Sequence, residues 1–104
     1  MTTARQSAVD VFAGFVLDSK FDSLPDAAVA AATTYFLDTV TDGIAGSKVE
    51  AAGQVLRTAR DWGQGDAATV LGSGEKLPSA SAAFVNSFQI HCQEFDCLHE
   101  PATV

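Results

Sequence analysis

Leu24-Pro25-Asp26-Ala-Ala-Val29-Ala-Ala-Ala-Thr33-Thr34-Tyr35-Phe36-Leu37-Asp38-Thr39-Val40-Thr41-Asp42-Gly43-Ile44-Ala45-Gly46 is the stretch on which the fold turns. From Ala27 to Gly46 it is long and apolar enough to raise two readings, a membrane span or a buried helix. Asp38, Asp42 and the threonine hydroxyls argue against a span, so a buried helix is expected. Pro25 suits a first helical turn, Asp26 suits the positive end of the helix dipole, and Gly46 supplies a stop. Such a helix, running to about Ala45, should turn Val29, Ala32, Phe36, Val40 and Ile44 inward.

Helical spacing also organises the flanks. Arg5 to about Ser19 carries Ala8, Val9, Phe12, Phe15 and Val16 as one apolar set, which should pack on a neighbour. Val49 to Trp62 forms a third helix with Ala52, Leu56, Ala59 and Trp62 as its stripe, ended by Gly63 and Gly65. Ala67 to Leu71 is short and β-tolerant and is followed by Gly72-Ser73-Gly74, so a brief extended segment and a turn are expected. Ser79 or Ser81 can cap a fourth helix that continues through Phe84, Phe88, His91 and Phe95. Pro101 should end regular structure, leaving Cys97 to Val104 as a loop. The fold class that follows is all-α, with at most one short extended segment near 67–71. No repeat, low-complexity tract or linker marks a domain boundary.

The 104 residues suit one small domain, and an apolar share of 47% against 18% charged is that of a globular chain. Six Lys and Arg against thirteen Asp and Glu give a formal charge of −7, the wrong sign for neutralising phosphates, so nucleic acid is a poor partner. The opening residues lack a basic region followed by an unbroken apolar run, because Asp10 and Asp18 interrupt the first twenty. A cytoplasmic protein without a membrane anchor is the expectation.

Chemistry is concentrated at the far end. Both histidines and both cysteines lie in His91-Cys92-Gln93-Glu94-Phe95-Asp96-Cys97-Leu98-His99, and Glu100 follows. On a continuing helix His91 and Glu94 would share a face, placing a proton-carrying imidazole beside a carboxylate that orients it. The bland alternative is a half-exposed helix end whose polar groups meet water. A zinc site is disfavoured, since adjacent His91 and Cys92 point about 100° apart on a helix and no Cys-x-x-Cys pair is present. Cys92 and Cys97 would be about 7.5 Å apart along a helix axis, too far for a disulfide, and free thiols are expected. Neighbouring carboxylates disfavour a thiolate, so neither cysteine is read as a nucleophile. Gly72-Ser73-Gly74-Glu75-Lys76 lacks phosphate-loop spacing and reads as a surface turn. Asp38 and Asp42, one turn apart, read as a polar helix face.

Three segments together resemble the N-terminal part of the MmgE/PrpD family, whose members include 2-methylcitrate dehydratase, cis-aconitate decarboxylase and iminodisuccinate epimerase. They are Tyr35 to Ser47, similar to the family's Leu-Asp-Thr helix ending in Ala-Gly; Ala82 to Ser87, similar to its Ala-x-x-Asn-Gly/Ser segment; and His91 to Asp96, similar to its His-x-x-Asp-Phe/Tyr-Asp-Asp motif. The order and spacing of the three carry the resemblance, which runs along essentially the whole chain. The pattern departs at Cys97 and Leu98, where the family commonly has Asp and Thr, so it does not name a substrate.

The resemblance implies an N-terminal segment of a helical domain, with the rest of a longer enzyme expected beyond Val104. It implies general acid/base proton transfer on a small di- or tricarboxylate, without metal or other cofactor, in a homodimer. Its motif puts His91, Glu94, Asp96 and His99 forward as the catalytic residues, with Glu94 and Asp96 standing for the first and second acids. No Lys or Arg follows Lys76, so a cationic clamp for a polycarboxylate must come from elsewhere. For the same reason the 104 residues alone are expected to be inactive. The other reading is a non-catalytic helical module that binds a separate chain.

Overall fold

The computed structural model describes residues 7–96. Its elements run α1 (Ala8–Asp18), a single 3-10 turn (Phe21–Ser23), α2 (Asp26–Gly46), α3 (Glu50–Asp61), β1 (Ala68–Thr69), β2 (Lys76–Leu77) and α4 (Ser79–His91). By internal contacts the chain divides into two compact units, residues 1–32 and 33–104. The division falls inside α2, which is why composition marks no boundary there.

In the first unit α1 starts later than the apolar spacing suggested, because Ser7 caps it. The Ser7 hydroxyl accepts from Asp10 N–H at 3.2 Å, and Asp10 Oδ2 accepts from Ser7 N–H at 3.3 Å. This reciprocal cap satisfies two donors that the first turn would otherwise leave unpaired. None of the α1 residues is buried, so its apolar set does not form a core.

The second unit has a small core of Ala59, Val70, Leu77, Ala82 and Val85, with Val55, Leu56 and Ala68 packed around it. α3 contributes the predicted Ala52 and Ala59, which are 1% and 0% exposed. Trp62 differs: it caps the helix, is 58% exposed, and sets its ring 4.9 Å from that of Phe84. An indole this large keeps its polar edge wet while one face packs.

The extended segment near 67–71 is present as β1, and it is paired. β2 runs antiparallel to it, with Ala68 opposite Leu77 and Thr69 opposite Lys76. Gly72 and Gly74 close the intervening turn with φ of +74° and +72°, conformations that a side chain disfavours. Arg60 Nε donates to Glu75 Oε1 at 2.8 Å, tying α3 to this turn.

α2 corrects the expected inner face. Phe36 and Ile44 are exposed, and the buried positions of the helix are Gly43 and Gly46. Contact is made by backbone at small residues: a Cβ on Gly46 would lie 1.9 Å from the Gln89 carbonyl oxygen, and one on Gly43 would lie 2.5 Å from Leu71 Cδ1. The stretch was read by its large apolar residues, whereas its close approach to α4 is set by its smallest. No helix among the described residues is long and apolar enough to cross a membrane.

Candidate active site

α4 carries the candidate cluster, and two of its features differ from expectation. Neither Ser79 nor Ser81 caps it; Pro78 occupies the N-cap position and has no side-chain cap bond. The fixed φ of proline sets the entry to the helix instead. The helix also ends at His91, with Cys92 as its cap, and does not continue through Phe95. Neither glycine nor proline lies between Cys92 and Glu100, so nothing in residue type marked this stop.

Packing fixes where α4 lies. Ala82 and Val85 are buried in the core, at 1% and 0% exposure. Asn86, one residue on, clips the helix to the hairpin: its Oδ1 accepts from Leu71 N–H at 2.9 Å and its Nδ2 donates to the Thr69 carbonyl at 3.0 Å. Sequence reasoning gave Asn86 only as part of a resemblance; an Asn four residues inside an apolar helical stretch was the available signal for a backbone clip. At the far end Cys92 Sγ donates to the Gln89 carbonyl at 3.4 Å and to the Gly46 carbonyl at 3.8 Å. This half-buried thiol is a packing contact.

Beyond the cap the chain turns back. Glu94 N–H donates to the His91 carbonyl at 2.9 Å, and Glu94 takes a left-handed φ of +56°. Asp96 thereby reaches His91, with Nδ1 at 3.0 and 2.9 Å from Oδ1 and Oδ2. The expected partnership is therefore corrected: Asp96, not Glu94, orients the imidazole. On a continuing helix residues five apart lie about 140° apart around the axis and could not meet, so the early helix end makes this pair.

The hydrogen bond that His91 Nδ1–H donates to Asp96, then the charge of that carboxylate, raises the His91 pKa above the ordinary imidazole value, and the charge of Glu94 adds to this. The same hydrogen bond holds Asp96 below the usual carboxylate range. His91 also ends α4, where a positive ring meets the negative pole of the helix. Its side chain is 69% exposed and that of Asp96 24%. With Nδ1 engaged by the carboxylate, proton exchange with a ligand falls to Nε2 of the same ring.

His99 and Cys97 lie outside the described residues. Among the described residues no three His, Cys, Asp or Glu side chains converge as a metal site would require. The Gly72-to-Lys76 segment forms the hairpin turn through Glu75, with Lys76 as the first residue of β2. A half-open cavity of about 190 Å³ is lined by Ser47, Lys48, Ala52, Leu56, Ser73 and Gln89, among others, and by none of His91, Glu94 and Asp96. Two buried oxygens, Asp42 Oδ2 and Gln89 Oε1, have no hydrogen-bond partner among the described residues.

Comparison with known proteins agrees with the motif. Residues 10–104 match the MmgE/PrpD N-terminal domain. The mouse (Mus musculus) cis-aconitate decarboxylase is 29% identical over 99 residues, covering 94% of this chain and 20% of that protein. The chain thus spans about a fifth of the length of this curated relative. No solved structure matches.

Proposed function

The chain belongs to the MmgE/PrpD family, and from that premise we propose that it supplies the N-terminal acid/base residues of a lyase or isomerase acting on a small di- or tricarboxylate. The observation that carries this reading is the His91–Asp96 pair at the end of α4. A carboxylate on Nδ1 fixes the ring and its tautomer and favours the protonated form, leaving Nε2 to deliver or accept a proton.

In such a site His91, protonated, donates its proton to a leaving hydroxyl or a carbanionic carbon, and an ionised carboxylate such as that of Glu94 accepts the proton α to a substrate carboxylate. His99 is a second candidate for either task. Substrate charge requires cations that the segment after Lys76 does not contain, so the clamp is supplied outside residues 77–104. The proposed reaction uses no metal or other cofactor, and a homodimer is the assembly the family resemblance implies.

The experiment is turnover by the natural protein that contains this chain. With 2-methylcitrate, cis-aconitate and related acids followed by proton NMR, His91→Gln should lower the rate 100-fold or more. An undiminished rate in that variant removes the reading. A second reading, a non-catalytic module that docks on another polypeptide, is favoured by Phe12, Phe15 and Val16 of α1, which are 68–70% exposed. Turnover by the wild-type protein excludes it as the sole function.

A further inference from the structure

The turn after α4 carries a residue whose backbone matters apart from its side chain. His91 and Asp96 meet only because the chain reverses between them, and the reversal has one left-handed residue, Glu94, at φ +56°. Its N–H is bonded to the His91 carbonyl at 2.9 Å, which holds the turn against the last helical residue. A left-handed conformation is unfavourable for L-residues with a side chain, most of all β-branched ones, and persists where surrounding contacts impose it. Here the contacts on either side are that hydrogen bond and the paired Asp96 carboxylate. The strain is placed between the two members of the pair.

We propose that Glu94 is a positioning residue, whose left-handed backbone brings the Asp96 carboxylate onto Nδ1 of His91. This deepens the acid/base reading and takes its functional meaning from it. A residue that resists positive φ at position 94 opens the pair without touching either member. A residue that accepts positive φ keeps the pair closed even when the Glu94 carboxylate is gone. Position 94 thus sets the fraction of molecules whose imidazole is oriented for proton transfer, whatever else its carboxylate does toward substrate.

The test separates backbone from charge. Glu94→Gly, Glu94→Asn and Glu94→Val all remove the same carboxylate, but glycine and asparagine accept positive φ and valine resists it. The readout is the His91 ring titration by NMR in the whole chain, assigned with His91→Gln and referenced to the double variant Glu94→Gly, Asp96→Asn, in which the pair cannot form a charged partnership and the Glu94 carboxylate is likewise absent. Among the described residues Asp96 and Glu94 are the charged groups acting on His91, and the three variants all lack the second, so they share one electrostatic background. Glu94→Gly and Glu94→Asn should titrate above that double variant, and Glu94→Val should fall toward it. The pairing constant is expected to drop about tenfold from Gly to Val. Equal midpoints for Gly and Val, raised or lowered together, overturn the proposal. If Glu94→Val does not fold, as read by helical circular dichroism, Glu94→Ala replaces it on the same criterion. Failure of the acid/base reading is distinct: His91→Gln would then retain turnover while the titration series keeps its order.

Discussion

Replacing Gly46 by alanine tests whether the α2–α4 contact is as close as the backbone geometry requires. The added Cβ would lie 1.9 Å from the Gln89 carbonyl oxygen, 2.8 Å from its carbonyl carbon and 2.9 Å from Cys92 Sγ. Carbon and carbonyl oxygen come no nearer than about 3.3 Å even in weak C–H···O contacts, so the helices must separate locally by roughly 1.4 Å. The obstacle is backbone in the last turn of α4, which cannot rotate away as a side chain could. Overpacking of this kind costs about 1–3 kcal/mol, and a rigid obstacle places it toward the upper end. Alanine returns at most about 1 kcal/mol in helix propensity. The net expectation is about 2 kcal/mol of destabilisation, or a Tm lower by about 8–16 °C for a domain of this size. Thermal and urea unfolding followed by circular dichroism measure it. Gly14→Ala is the control, since nothing lies within 4 Å of its added Cβ and Gly14 sits inside α1; it should stabilise by about 0.5–1 kcal/mol. A Gly46→Ala protein as stable as wild type would refute the close-contact account, and with it the placement of the last turn of α4 that delivers His91.

Other expectations follow from the same contacts. Asn86→Ala removes both bonds from α4 to the hairpin and leaves Leu71 N–H and the Thr69 carbonyl unpaired; a loss of about 2 kcal/mol is expected by urea unfolding. The His91–Asp96 pair has a pH window with two edges. Because the His91 pKa is raised, its contribution is full below the unfolded value and is lost as pH rises through the folded one; because that of Asp96 is lowered, its contribution is present above the unfolded value and lost as pH falls through the folded one. NMR of the His91 ring across pH should show the paired state between those edges, and Asp96→Asn should remove the upper extension. For the cysteines, a thiol count under denaturing, non-reducing conditions should give two free thiols per chain, and elemental analysis no equivalent of zinc; one of either missing or present contradicts the divergent-ligand argument.

Particular residues explain what could be read from sequence. α2, α3 and α4 were legible because apolar spacing and the stops at Gly46 and Gly63 carry local information, and Ala52 and Ala59 were placed inward correctly. The inner face of α2 was not, because a helix that packs through Gly43 and Gly46 leaves no large-residue signature. β2 was missed since Lys76-Leu77 becomes a strand only by pairing with Ala68-Thr69. At the site, the motif put forward His91, Glu94, Asp96 and His99, and the structure brings His91 and Asp96 together. It did not show which acid orients the imidazole, since that depends on a left-handed glutamate for which no residue-type rule exists. Helical spacing favoured Glu94 because the helix was assumed to continue.

Under the proposed function, His91, held by Asp96, moves protons for a lyase or isomerase of the family. Solvent deuterium incorporation into a di- or tricarboxylate by the natural protein containing this chain, read by proton NMR, measures that step directly. The account predicts incorporation by the wild-type protein, a loss of 100-fold or more in His91→Gln, and none by residues 1–104 alone, which have no cation beyond Lys76 to hold the substrate. Incorporation at an equal rate in His91→Gln would contradict it.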